Sequence, residues 1–229
     1  MTTVYRSTAL LLLIAGSLMS QALINTIPSW NGTSYFADFG VPVTATYGQT
    51  ITIAPGSAVV SSFAFEIGYC NATITFRGEI YAWDGAKATG PSLFESPVMT
   101  QGASDSFQLV TFNTGALTLT PGVYVLFATT SKDQLTASKC RSGNVPDATY
   151  PGGNQVYLNN RADTSQWTTV PWVAEPADLA FRVDMTPAPP PTPNVVQSAP
   201  AASPTSLLLG FAGVIALGLL GLSRLRTAR

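Results

Sequence analysis

The chain has 229 residues, 11 basic and 12 acidic side chains, a formal net charge of −1, only 10% charged residues and no histidine. The missing imidazole excludes Ser-His-Asp and Cys-His catalysis, histidine-ligated zinc and the usual neutral-pH proton shuttle. The sparse, slightly acidic charge argues against nucleic acid as a partner.

The first 22 residues read as a secretory signal peptide. Met1 to Arg6 is short and carries one positive side chain, Ala9 to Ala15 is apolar, and Ser20-Gln21-Ala22 places small residues at −3 and −1 of a cut between Ala22 and Leu23. Gly16, Ser17, Ser20 and Gln21 interrupt the apolar run well short of the ~20 residues of a spanning anchor. The mature chain is expected to begin at Leu23. From there to Thr205 it carries twelve acidic against seven basic side chains, a net −5.

Residues 23–185 show period-two alternation and no helical stripe, which predicts an all-β ectodomain. Thr50–Ile53 is an early strand. Phe63, Phe65, Ile67 and Tyr69 fall on one face of the next, opposite Ala64, Glu66, Gly68 and Cys70. Ala72–Phe76 and Glu79–Trp83 flank Arg77-Gly78, which is read as a bulge, and Asp84-Gly85 as a turn. Phe107–Phe112 and Ala116–Thr120 are expected to form a hairpin around Asn113-Thr-Gly115. Pro121-Gly122 is a type II turn signal, and Val123–Thr130 beyond it is apolar on both faces, as a central strand covered on both sides would be. Gln155–Leu158 and Leu179–Val183 are later strands. Short strands spaced by Gly, Pro and Asn signals predict an antiparallel, jelly-roll-like β-sandwich.

Composition then changes. Thr186–Thr205 holds seven prolines in twenty residues and no charge, a polyproline-like spacer (186–205) that cannot build a core. Ser206–Ser223 has no polar or charged side chain between Leu207 and Leu222, and as a helix it reaches roughly 27 Å, enough to span a bilayer once. Arg224, Arg226 and Arg229 lie in the tail 224–229, which the positive-inside rule assigns to the cytoplasm. Residues 23–205 are thus expected outside.

This order of segments resembles that of the PEP-CTERM surface proteins of Gram-negative bacteria. Tyr81–Phe94, Val110–Gly115 and Leu119–Phe127 are similar to the β domain of one group among them. The resemblance implies recognition by an exosortase, in species that make exopolysaccharide. The sequence departs from that family where a Val-Pro-Glu-Pro-like signal is expected before the helix. That place reads Ala199-Pro-Ala-Ala-Ser-Pro204 and lacks the glutamate, and Glu175-Pro176 lies too far upstream to replace it. The sorting motif is degenerate.

Few residues carry candidate chemistry. Cys70 and Cys140 are the two cysteines, and an even count in an exported chain predicts one disulfide, the alternative being two free thiols. Glu66 and Glu79 fall on neighbouring predicted strands, where a glycosidase-like pair would be a third reading. No phosphate loop, metal-ligand spacing or cofactor motif is present, so no metal or cofactor is expected. Trp30 with Tyr35 and Phe36, and Trp167 and Trp172 in the loop-rich region 143–178, are candidate sugar-stacking aromatics. The reading is a non-enzymatic, exported cell-surface β-sandwich, held at the membrane or sorted through its C-terminal helix. Its expected role is structural or interactive in the envelope or extracellular polysaccharide matrix. The alternative is a carbohydrate-binding module that holds exopolysaccharide.

Overall fold

The computed structural model describes residues 22–189. The leader up to Gln21, and the rest of the spacer, the apolar segment and the arginine tail from Pro190 onward, lie outside the described residues. Among the described residues no helix is long and apolar enough to cross a membrane.

The strands are β1 (Ala22–Asn25), β2 (Tyr35–Phe39), β3 (Thr46–Ile53), β4 (Ala58–Cys70), β5 (Ile74–Trp83), β6 (Ala88–Glu95), β7 (Met99–Gln101), β8 (Ser104–Leu119), β9 (Gly122–Thr129), β10 (Cys140–Val145) and β11 (Gln155–Leu158). A four-residue helix, α1 (Gln166–Thr169), precedes β12 (Val173–Glu175), β13 (Asp178–Leu179) and β14 (Phe181–Pro187). They form two antiparallel sheets of seven strands each. The first is organised on β4. One edge of that strand pairs with β8 along its length, and the other pairs with β14 from Ala58 to Phe65 and with β10 at Ile67 and Gly68. The second runs β12-β11-β3-β9-β5-β6, with β7 on the near end of β5.

The core lies between the sheets. Phe63, Phe65 and Ile67 of β4, Phe112 of β8 and Phe181 of β14 meet Ile51 of β3, Phe76 and Ile80 of β5, and Leu126 of β9, all at most 1% exposed. Phe112 stacks on Phe63 at 4.8 Å. It also lies over Gly78, where a Cβ would come within 2.4 Å of its ring. Gly78 is therefore not a bulge: β5 runs through it unbroken, and the glycine is the recess that admits an aromatic ring from the facing sheet.

The alternation of β9 places Tyr124, Leu126 and Ala128 in that core and Val125 and Phe127 on the opposite face. This second face is covered as well. Trp167 on α1 and Trp172 just after it pack on Phe127, each ring 5.2 Å away, with Tyr81, Val156 and Leu158 around them. Their indole N–H groups are used internally, Trp167 Nε1 donating to Thr46 Oγ1 (3.3 Å) and Trp172 Nε1 to the Trp167 carbonyl (3.0 Å). The assignment of Trp167 and Trp172 to sugar-binding loops is thereby overturned, since the rings are 2% and 6% exposed. Polar loop composition hid a second small core that the central strand requires.

Four local readings also change. Tyr69 takes φ 49° at a register shift between Gly68 and Cys70, so it swings out of the Phe63-Phe65-Ile67 face and Cys70 turns inward in its place. Asn113-Thr-Gly115 does not reverse the chain. β8 continues past it along β4, Gly115 at φ 76° absorbs a bulge, and Thr114 Oγ1 donates to the Val60 carbonyl at 2.6 Å. Gly122, at φ 159°, is close to fully extended rather than left-handed, and it opens β9 paired with Ile53. β14 carries Thr186 and Pro187 into the expected spacer, Pro187 pairing opposite Ala58 and the Ala188 amide donating to the Ser57 carbonyl at 3.2 Å.

A disulfide joins Cys70 at the end of β4 to Cys140 at the start of β10, across 70 residues of sequence. By chain-entropy arguments a loop of that length is worth roughly 4 kcal/mol against the unfolded state.

Candidate functional site

The outward face of the first sheet, beside the disulfide, carries a cluster of aromatic side chains, Tyr35 and Tyr69 exposed and Trp30 and Phe107 half-buried. Register builds it in two rows. Phe107 of β8, Gly68 of β4 and Arg141 of β10 lie side by side, and so do Leu109 of β8 and Glu66 of β4. Gly143 of β10 lies next to Glu66, where an added Cβ would stand 2.9 Å from the Glu66 Cβ, and Tyr35 of β2 pairs with Gly143. Four strands at ~4.8 Å spacing make the second row about 14 Å long.

The glycines are the floor. A Cβ at Gly143 would also stand 3.2 Å from the Trp30 ring, and one at Gly68 would collide with the backbone of Ser106 and Phe107. Trp30 follows a short 3-10 turn, Ile27–Ser29, and is held over Gly143 by its indole N–H donating to the Ser34 carbonyl (2.7 Å). The Asn31 Oδ1 fixes that loop by accepting from the amides of Thr33 and Ser34 at 2.9 and 2.7 Å. Phe107 meets Trp30 edge-on at 4.8 Å and Tyr69 at 5.1 Å. The Arg141 guanidinium lies 4.0 Å from the Tyr35 ring and 5.1 Å from the Tyr69 ring. Tyr35, Tyr69 and Leu109 are each 40% exposed.

Two charges on this platform are uncommitted. The Glu66 side chain is half-buried and makes no hydrogen bond or ion pair among the described residues, and burial alone pushes its carboxyl above the ordinary carboxylate value. Arg141 has its tyrosines but no carboxylate partner among the described residues. An aromatic surface with a free acceptor and a free donor can stack a flat, partly apolar ring and hydrogen-bond its polar rim.

The other charged cluster is closed on itself. On the outward face of the second sheet, Lys132 Nζ donates to Glu79 and Glu95 (2.6 Å each), Arg77 to Glu95 and Asp133 (2.7 Å each), and Ser92 Oγ to Glu79 (2.8 Å). Burial raises the Glu79 carboxyl, and the bonds from Lys132 and Ser92 oppose that rise. Lys132 also lies 5.2 Å over the Trp167 ring, tying this network to the second core. Glu66 and Glu79 thus belong to different sheets and project from opposite outer faces, further apart than the ~10 Å between packed sheets. That separation does not suit the paired carboxylates of a glycosidase. Among the described residues no group of three acidic, cysteine or histidine side chains is placed to hold a metal.

Of the three tryptophans proposed from the sequence, Trp30 alone lies on the platform. Tyr69, Phe107 and Arg141 were missed. Their signal was weak, because Tyr69 alternates as a core residue and only the bulge before Cys70 exposes it.

No family model matches the chain, and no curated protein is significantly similar to it. Among solved structures it is similar to the cysteine protease and lectin-like domains of Cwp84, a surface layer associated protein of Clostridium difficile. The identity is 10% and the TM-score 0.44, over 63% of this chain and 32% of that one. A second structure of the same clostridial cysteine protease, after propeptide cleavage, matches at 9% identity and TM-score 0.44, over 69% of this chain and 38% of that one. The chain spans about a third of the length of these proteins.

Proposed function

We propose that this protein is an exported, non-enzymatic surface module that holds extracellular polysaccharide on the aromatic platform of its first sheet. In this reading the N-terminal 22 residues direct export, with the cut between Ala22 and Leu23. The C-terminal helix anchors the chain in the membrane or presents it to an exosortase-type enzyme, as the resemblance to PEP-CTERM proteins implies. The observation that carries the binding role is the group Trp30, Tyr35, Tyr69 and Phe107 on a glycine floor with Glu66 and Arg141 uncommitted beside it. Tyr35 and Tyr69 stay 40% exposed on this face, with Trp30 and Phe107 half-buried beside them, whereas Trp167 and Trp172 are buried.

The test is retention of the full-length protein on the extracellular polysaccharide of its host. Trp30→Ala and Tyr69→Ala are expected to reduce retention at least tenfold each, at unchanged melting temperature within a few degrees. Retention equal to wild type in both variants would refute the platform as the binding surface.

A further inference from the structure

Resting on the polysaccharide reading, the chemistry of the platform narrows the sugar. Glu66 offers only acceptors when ionised, and Arg141 offers only donors. They lie on adjacent strands, one row apart, since Arg141 pairs with Gly68 and Gly143 lies beside Glu66. They form no ion pair with each other.

A ligand that satisfied one by full charge would be penalised by the other. An ammonium suits Glu66 but meets the Arg141 guanidinium on the same face. A carboxylate suits Arg141 but meets Glu66, on a domain whose described residues carry seven basic against twelve acidic side chains. The matching group is neutral and carries a donor and an acceptor that point in opposite directions. A secondary amide does this, and an N-acetyl group adds a methyl that packs on an exposed ring such as Tyr69.

We infer that the platform selects a polysaccharide containing N-acylated amino sugars, the amide N–H donating to Glu66 and the amide carbonyl accepting from Arg141, while pyranose faces stack on Trp30, Phe107 and Tyr69. Plain hydroxyl sugars can stack on the same rings but present no such fixed pair.

Three hexasaccharides with one β-1,4 backbone, differing only at carbon 2, separate the cases: the N-acetyl form, its fully deacetylated amine and the hydroxyl form. Calorimetric titration of the full-length protein is expected to show the N-acetyl form binding roughly tenfold tighter than the hydroxyl form, the worth of one hydrogen bond to a charged group. Glu66→Gln and Arg141→Gln should each bring that ratio towards one while weak stacking affinity for both sugars persists, which also shows that the variants are folded. Equal affinity for N-acetyl and hydroxyl forms overturns the inference, as does a ratio that neither variant changes or an amine form that binds tightest. If no hexasaccharide binds but host polysaccharide is still retained through Trp30 and Tyr69, the inference falls and the platform reading stands. If platform variants leave that retention unchanged as well, both fall.

Discussion

Truncation of Trp167 to alanine tests whether the second core supports the fold. The indole is 2% exposed, packs on Phe127 at 5.2 Å and Tyr81 at 6.0 Å, and donates to Thr46 Oγ1. Thr46 keeps its bonds to Thr129 and Asn160 at 2.9 Å each, so the loss is mainly the cavity and its contacts. Buried Phe or Trp to Ala substitutions cost about 3–5 kcal/mol. For a domain of this size that lowers Tm by roughly 10 °C, out of a total stability of about 5–15 kcal/mol. Phe127→Ala, from the same cluster and fully buried, should cost about as much. Urea unfolding of the full-length protein with its disulfide intact, read by tryptophan fluorescence and far-UV circular dichroism, gives the difference. A loss under about 1 kcal/mol for Trp167→Ala would refute the claim that this face of β9 is a core, because surface substitutions fall within about ±0.5 kcal/mol.

Other perturbations follow from single contacts. Gly78→Val forces a branched side chain against the Phe112 ring and should cost at least the 1–3 kcal/mol typical of overpacking, measured by the same unfolding assay. Burial raises the folded pKa of Glu66 above its ordinary value of 4.5, so the ionised form costs stability above the folded pKa and that cost vanishes below the ordinary value. Glu66→Gln should therefore melt higher than wild type at pH 7, with the advantage shrinking as pH falls towards 4, and a gain independent of pH would contradict the cause. Reducing Cys70–Cys140 should lower Tm, the loss of stability being bounded by roughly 4 kcal/mol, and isolated protein should show no titratable thiol. A reporter fused after Arg229 should be cytoplasmic and one inserted in the spacer exported; finding both on one side before any processing would refute the anchor.

Features set by local chemistry were legible without the fold. The all-β class followed from period-two alternation. The burial of Val125 and Phe127 on one face of β9 and Leu126 on the other followed from a run apolar on both faces. Asp84 does close a turn, its Oδ1 accepting from the amides of Ala86 and Lys87 at 2.9 Å, because that bond depends on three residues alone. What failed depended on partners distant in sequence. Gly78 looked like a bulge because nothing near it announces Phe112, and Asn113-Thr-Gly115 looked like a hairpin because only continuous pairing to β4 keeps that chain straight.

The platform belongs to that second kind. Trp30, Glu66, Tyr69, Phe107 and Arg141 span more than a hundred residues of sequence, and composition alone sets Trp167 and Trp172 beside Trp30. Register across β8, β4 and β10, with the hydrogen bond from Trp30 to the Ser34 carbonyl, brings the five together, while the apolar outer face of β9 draws the two loop tryptophans inward. Whether an aromatic side chain is exposed depends on which surface opposite it remains uncovered. Hydrophobic burial resolves that only when the whole chain has folded, so sequence determined the supply of rings and tertiary packing decided which of them stay at the surface.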